Sequence, residues 1–304
     1  MSAGHQAPGI RHTTVMLGGA PFHVAEAGDA GAPIAVLLHG FPECWYSWRS
    51  MMGALAPHFH VLAPDLRGYH ESDIAAPQEA YTPAALCADI LALLDHYGAT
   101  RCVLVGHDWG GLLAWFFAAL HPQRVARLVI LNAPHPNRFQ RALDHDPAQR
   151  AASQYIDRLR DPQCADRLMA GGAQALWDMT LGGHERSGAM NAHDKSVYME
   201  GWRKPGTVNA MLNWYRAAPF VLAAPEASSA DHQHLIGQVN IAAPTLLIWG
   251  MRDDILLPQL LEGLERHVPQ LEIERIDDGG HGVMHEQPQL VNALVGRFLL
   301  AQPA

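Results

Sequence analysis

The sequence predicts an α/β fold: a mostly parallel central sheet, helices on both faces, and a helical segment inserted between two strands. Three observations carry this. Short apolar runs that stop at small or polar residues alternate with longer helical stretches, the pattern of βαβ units. The chain has 304 residues, 49% hydrophobic and only 17% charged, enough apolar side chain for a large core and too few charges for a disordered chain or a coiled coil. The alternation then breaks between about Pro134 and Ala243, where helical patterns continue and no strand is evident.

Taken in order, Thr14–Leu17 and Pro21–Ala25 alternate polar and apolar residues and read as an antiparallel hairpin at one edge. Ile34–Leu38, His60–Ala63, Cys102–Val105, Leu128–Leu131, Thr245–Trp249 and Leu271–Ile276 are the remaining strands. Nearly continuous apolar runs suit parallel strands buried on both faces. The segment that interrupts them holds Tyr155, Trp177, Tyr198, Trp202, Trp214 and Tyr215. A core made of residues 1–134 and 231–304 is therefore expected, with a cap over 135–230 that returns through a hinge at Ala223–Ala230. Ligands of α/β proteins bind beyond the carboxyl ends of the strands, so such an insertion would roof the site.

Several function classes are disfavoured. The net charge is −9, from 21 basic and 30 acidic side chains, and only Lys195 and Lys204 are lysines. A nucleic-acid surface needs clustered cations. The longest apolar run, Gly110–Leu120, falls short of the roughly 18 residues that span a bilayer, so no membrane partner is expected. Met1–Pro8 lacks the basic-then-apolar pattern of a signal peptide. Cys44, Cys87, Cys102 and Cys164 show no CxxC spacing and read as free thiols in a reducing cytoplasm. His184, His193, His232 and His234 lack ligand spacing, and no phosphate-binding glycine loop follows a strand, so neither a metal nor a nucleotide cofactor is expected. A monomer and a homodimer both remain open.

The chemistry starts at Gly106-His107-Asp108-Trp109-Gly110-Gly111, between a strand and an apolar helix. Small residues around a sharp strand-to-helix turn make a nucleophile elbow, whose central side chain stands clear of the sheet. That side chain is Asp108; the plainer alternative is an aspartate capping a helix. A carboxylate attacking a saturated carbon forms an ester, which water can cleave, whereas a serine there would leave an inert ether. Asp108 therefore points to epoxides or alkyl halides. Turnover needs a base, and His281, in the turn Gly279-Gly280-His281-Gly282 after the last strand, is the expected one. The base needs an orienting carboxylate. Asp253, three residues after Gly250, fits, with Asp254 in reserve. The backbone N–H groups of Phe41, in His39-Gly40-Phe41-Pro42-Glu43, and of Trp109 can form an oxyanion hole. His39, Glu43 and His107 read as structural support.

These motifs, in this order and over nearly the whole chain, resemble the α/β-hydrolase fold in its epoxide hydrolase branch. His39-Gly-Phe-Pro-Glu43, Asp65-Leu-Arg-Gly-Tyr69, Gly106-His-Asp-Trp-Gly110 and Gly280-His281 carry the resemblance. It implies a cofactor-independent hydrolase turning a small hydrophobic epoxide into a vicinal diol. It also implies two cap tyrosines that hold the epoxide oxygen. Tyr215, in Leu212-Asn213-Trp214-Tyr215-Arg216, matches the second, and Tyr155, seven residues before Pro162, the first, with Tyr198 as its stand-in. The turn His70-Glu71-Ser72 departs from the Gly- or Asn-containing turn of the family. Haloalkane dehalogenases share the Asp nucleophile and the following Trp, but usually place Asn or Glu where this chain has Phe41. A dehalogenase is the nearest rival, and a ligand-binding homologue without turnover the more distant one.

Overall fold

A computed structural model describes residues 9–222 and 231–301. The hinge expected at Ala223–Ala230 lies outside the described residues. Eight strands form one sheet: β1 (Arg11–Leu17), β2 (Ala20–Ala27), β3 (Ile34–Leu38), β4 (His60–Pro64), β5 (Cys102–His107), β6 (Val125–Leu131), β7 (Thr245–Gly250) and β8 (Leu271–Ile276). Their order across the sheet is β1-β2-β4-β3-β5-β6-β7-β8. β1 and β2 pair antiparallel, as do β2 and β4, and every other neighbour is parallel. The hairpin is longer than its clearest alternation suggests: β1 begins at Arg11, because only Val15 and Leu17 of this edge strand face the core. β8, the opposite edge, is half-buried, which explains its charged Glu272, Glu274 and Arg275.

The central strands β3, β4, β5 and β7 are buried along their whole length. β4 lies on one side of β3 and β5 on the other, so the chain reverses its direction of travel across the sheet at β3. A crevice opens beyond the strand ends at such a switch point. The loop that follows β3 and the strand-to-helix turn that follows β5 therefore meet there, and they carry Phe41 and Asp108.

Between β6 and β7 the described residues form helices and no strand, from Pro136–His145 to Gln233–Ile236. Polar side chains fasten this segment to the sheet domain. The indole N–H groups of Trp202 and Trp214 donate to the carbonyls of Pro42 at 2.7 Å and Arg67 at 2.8 Å. Asp194 caps the helix Ala192–Trp202 through a capping box with Asn191. It also accepts the Tyr46 hydroxyl at 3.0 Å and pairs with Arg49 at 2.8 Å. The Tyr198 hydroxyl lies 3.1 Å from that of Ser47, so this tyrosine joins the insertion to the core. Among the described residues, no helix is long and apolar enough to cross a membrane.

Candidate active site

β5 delivers its last residue, His107, directly into the helix Asp108–Leu120. The turn is tight enough to hold Asp108 at φ +50°, a conformation that costs a non-glycine residue of order 1–3 kcal/mol. The surrounding backbone enforces it. A Cβ on Gly110 would run into the carbonyl groups of Leu38 and His39. One on Gly40 would sit 2.5 Å from the Asp108 Cβ and 2.7 Å from its Oδ1. Gly40 thus lets the loop after β3 close over the carboxylate, where the Phe41 N–H donates to Asp108 Oδ1 at 2.8 Å. The Phe41–Pro42 bond is cis. Trp109 lies in the first turn of its helix, where backbone N–H groups have no intrahelical acceptor and point at whatever occupies the crevice.

His281, in the loop after β8, faces Asp108 across a gap of 3.6 Å between Nε2 and Oδ2. Its Nδ1–H donates to Asp253 Oδ2 at 2.8 Å. Asp253, in the loop after β7, is 3% exposed and its carboxylate is fully engaged. Oδ1 accepts the N–H groups of Ile255 at 2.9 Å and Leu256 at 2.8 Å, while Oδ2 also accepts the Asn132 amide at 2.8 Å. Burial alone would raise the Asp253 pKa, but the His281 charge and these hydrogen bonds outweigh it and hold the carboxyl below the usual range. Burial alone would lower the His281 pKa; the carboxylates of Asp253 and Asp108 overcome it and push it well above the ordinary histidine value. Asp254, the reserve acid, is exposed.

Tyr155 opens the helix Tyr155–Arg160, and Tyr215 sits near the end of the helix Thr207–Ala217. Their ring centroids are 6.2 Å apart, and the Tyr215 ring meets the edges of Trp109 and Phe41 at 4.9 and 5.1 Å. Burial raises both phenol pKa values, and the Asp108 charge adds to it in each case, so both stay protonated and able to donate. A small apolar cavity of about 20 Å³ joins Asp108, Trp109 and Tyr155 to Leu112, Phe139 and Phe220.

Sequence reasoning passed over one residue here, Asn132, and gave no partners for Glu43, His107 and His70. Asn132 read only as the residue that ends β6. It is fully buried at φ +38°, accepts the Gly250 N–H at 2.9 Å through Oδ1, and donates to Asp253 through Nδ2. An asparagine directly after a strand was the available signal, because Asn tolerates this backbone region better than most residues. Glu43 keeps the structural role the sequence suggests: its carboxylate accepts His285 Nε2–H at 2.5 Å and lies 3.3 Å from His107 Nδ1. His107 in turn donates Nε2–H to the His281 carbonyl at 3.0 Å, bracing the loop that carries His281. The atypical turn at His70 has φ +46°, and its imidazole lies 3.3 Å from the buried Asp65 carboxylate.

A family model described as the alpha/beta hydrolase fold matches residues 33–288. The chain is 33% identical to Epoxide hydrolase 4 of Mus musculus over 287 residues, covering 92% of this chain and 77% of that protein. It is also 33% identical to the AB hydrolase superfamily protein YfhM of Bacillus subtilis over 295 residues, covering 97% and 99%. Among solved structures, the Bacillus megaterium epoxide hydrolase bound to an inhibitor superposes with a TM-score of 0.87 at 30% identity, covering 95% of this chain and all of that one. An epoxide hydrolase from hot-environment metagenomes superposes with a TM-score of 0.84 at 36% identity, covering 96% and 99%.

Proposed function

The chain belongs to the α/β-hydrolase fold family and, within it, to the epoxide hydrolases, and on that premise we propose that it converts small hydrophobic epoxides to vicinal diols through an ester on Asp108. The observation that carries this reading is one carboxylate, Asp108, that faces an Asp-paired imidazole and lines the same cavity as Tyr155, whose ring lies 6.2 Å from that of Tyr215. Residues 135–230 serve as the cap, over a core of 1–134 and 231–304.

In this reading the two Asp108 oxygens divide the labour. Oδ1 is engaged by the Phe41 N–H, so Oδ2 attacks an epoxide carbon. The carbon–oxygen bond of the ring breaks, and its electron pair stays on the ring oxygen. Tyr155 and Tyr215 hold that oxygen, and one phenol gives it a proton. Alkylation turns Asp108 into a neutral ester. One of the charges that raises the His281 pKa is thereby removed, which favours the neutral imidazole needed next. His281, oriented by Asp253, takes a proton from water as the water oxygen attacks Cγ of Asp108. Negative charge gathers on Oδ1, where the N–H groups of Phe41 and Trp109 receive it. The Cγ–Oδ2 bond then breaks, the departing alkoxide takes the proton from His281, the re-formed Asp108 carboxyl returns its remaining proton to the phenolate, and the diol leaves.

A panel assay tests the function. Styrene-type and aliphatic epoxides should yield diols, while chloro- and bromoalkanes of the same size release halide slowly or not at all. Faster halide release than diol formation would contradict the epoxide reading.

A further inference from the structure

The two tyrosine-bearing helices are joined through a pair of arginines. Arg160 closes the helix Tyr155–Arg160 and sends its guanidinium to the end of the helix Thr207–Ala217. Its Nε–H donates to the carbonyl of Tyr215 at 2.9 Å, and Nη2 donates to the carbonyls of Phe220 at 2.6 Å and Ala218 at 3.5 Å. Arg216 reaches the opposite way. Its Nη2 donates to the carbonyl of Asp161, just past the first helix, at 3.5 Å, and Asn209 and Asn213 hold its Nη1 at 2.9 and 3.0 Å. Each arginine thus satisfies carbonyls at the end of the other's helix. The last carbonyls of a helix lack intrahelical donors and favour a cation, so both contacts are stabilising.

Arg160 differs from an ordinary helix staple in two ways. It pins the backbone carbonyl of Tyr215 itself, and it lines the same cavity as Asp108 and Tyr155. An epoxide oxygen held by both phenols must lie within about 3 Å of each hydroxyl, so the span between the helices decides whether one donor or two can reach it. The rigid fork of a guanidinium fixes that span, because it ties Tyr215 and Phe220 to one plane.

We propose that Arg160 is a positioning residue for epoxide opening: it locks the helix of Tyr215 against the helix of Tyr155 and so sets the distance between the two phenols. This rests on the reading of these tyrosines as the ring-oxygen donors. Asp108 opens the helix after β5, and His281 and Asp253 stand on the loops after β8 and β7, all outside the two tyrosine-bearing helices, so ester hydrolysis does not depend on the arginine.

The test separates the two steps under single-turnover conditions, with styrene oxide and intact-protein mass spectrometry to follow the ester. Arg160→Gln should slow alkylation by roughly 10- to 100-fold, against the 10²–10³ typical of losing one preorganised donor, and leave ester hydrolysis within about twofold. Arg160→Lys keeps the cation but not the fork, and should lose about tenfold in alkylation alone. In a Tyr155→Phe/Tyr215→Phe background, either Arg160 change should alter alkylation by less than about twofold, since no hydroxyl remains to be placed. Equal losses in both steps, a loss that persists in that background, or no loss at all would overturn the role of Arg160. If the double tyrosine variant itself alkylates at the parent rate, the tyrosine reading falls and Arg160 with it. A large loss in that variant beside unchanged Arg160 variants overturns Arg160 alone.

Discussion

Replacing Asn132 by Ala removes no atom that touches substrate, yet the structure predicts a measurable cost to stability and turnover. Three contributions can be worked out. The Gly250 N–H, now bonded to Asn132 Oδ1 at 2.9 Å, would be left buried without an acceptor, a cost of about 1–3 kcal/mol. The Asp253 carboxylate would lose one donor but keep His281, Ile255 and Leu256, so this loss stays at the lower end of the roughly 1.5–3 kcal/mol range for charged hydrogen bonds. Ala also tolerates φ +38° less well than Asn, by about 1 kcal/mol. Water entering the vacated space offsets part of the sum, and a net loss of about 3 kcal/mol is expected. At about 2 °C per kcal/mol for a chain of this size, Tm falls by roughly 6 °C in a calorimetric or fluorescence melt. With Asp253 less firmly held, His281 is less well aimed at the water. Ester hydrolysis should slow on the order of tenfold, short of the 10² that a 1 Å misplacement can cost, and alkylation should change little. An unchanged Tm would refute the hydrogen-bond reasoning, and slowed alkylation with intact hydrolysis would refute the assignment of Asn132 to the Asp253–His281 side.

Other outcomes follow from the same geometry. His281→Gln should form the Asp108 ester and stop there, because only hydrolysis needs the base; a mass increase equal to one substrate should persist on a peptide containing Asp108, and an unmodified protein would count against the two-step scheme. Asp108→Asn removes a charge that raises the His281 pKa, so the imidazole should titrate at lower pH than in the parent, as read from its NMR signal. The sign for stability follows by linkage: a raised histidine pKa stabilises the fold fully below about 6.5 and ceases to do so as pH rises through the folded value. The parent Tm should therefore fall on the alkaline side, and Asp108→Asn should flatten that fall. Phe220, Trp109, Leu112 and Ala218 line both the Asp108 cavity and a second apolar cavity of about 20 Å³ beside Tyr81 and Phe116. Phe220→Ala should join the two and raise kcat/KM for an aryl glycidyl ether relative to a small aliphatic epoxide; an unchanged ratio would exclude Phe220 as the partition.

Much of this architecture is legible in the sequence because its signals are local. The buried strands are short apolar runs, and Asp108, Asp253 and His281 each follow a strand within a few residues, in glycine-marked turns. What escapes notice is set by distant pairing. The partner of Asn132 lies 121 positions away, and Glu43 meets His285 across 242. Neither spacing leaves a periodic trace. The hairpin edge is blurred for a different reason: most of β1 faces solvent, so Arg11–Thr14 lack the alternation that marks a half-buried strand. Tyr155 and Tyr215 stand between these cases. Their types and neighbouring motifs are visible, but only packing separates Tyr155, whose phenol senses the Asp108 charge, from Tyr198, which binds Ser47.

The central claim is that oxygen reaches the substrate from Asp108 and not directly from water. A single turnover with enzyme in excess, run in H₂¹⁸O, tests it. Asp108 Oδ2 becomes the new hydroxyl oxygen of the diol, while the attacking water oxygen is left in the carboxylate. The diol from this first turnover should therefore carry no ¹⁸O, and digestion of the enzyme should locate the label on Asp108. A labelled diol from the first turnover, with no label in the protein, would mean that water opens the epoxide directly, and the ester mechanism would be wrong.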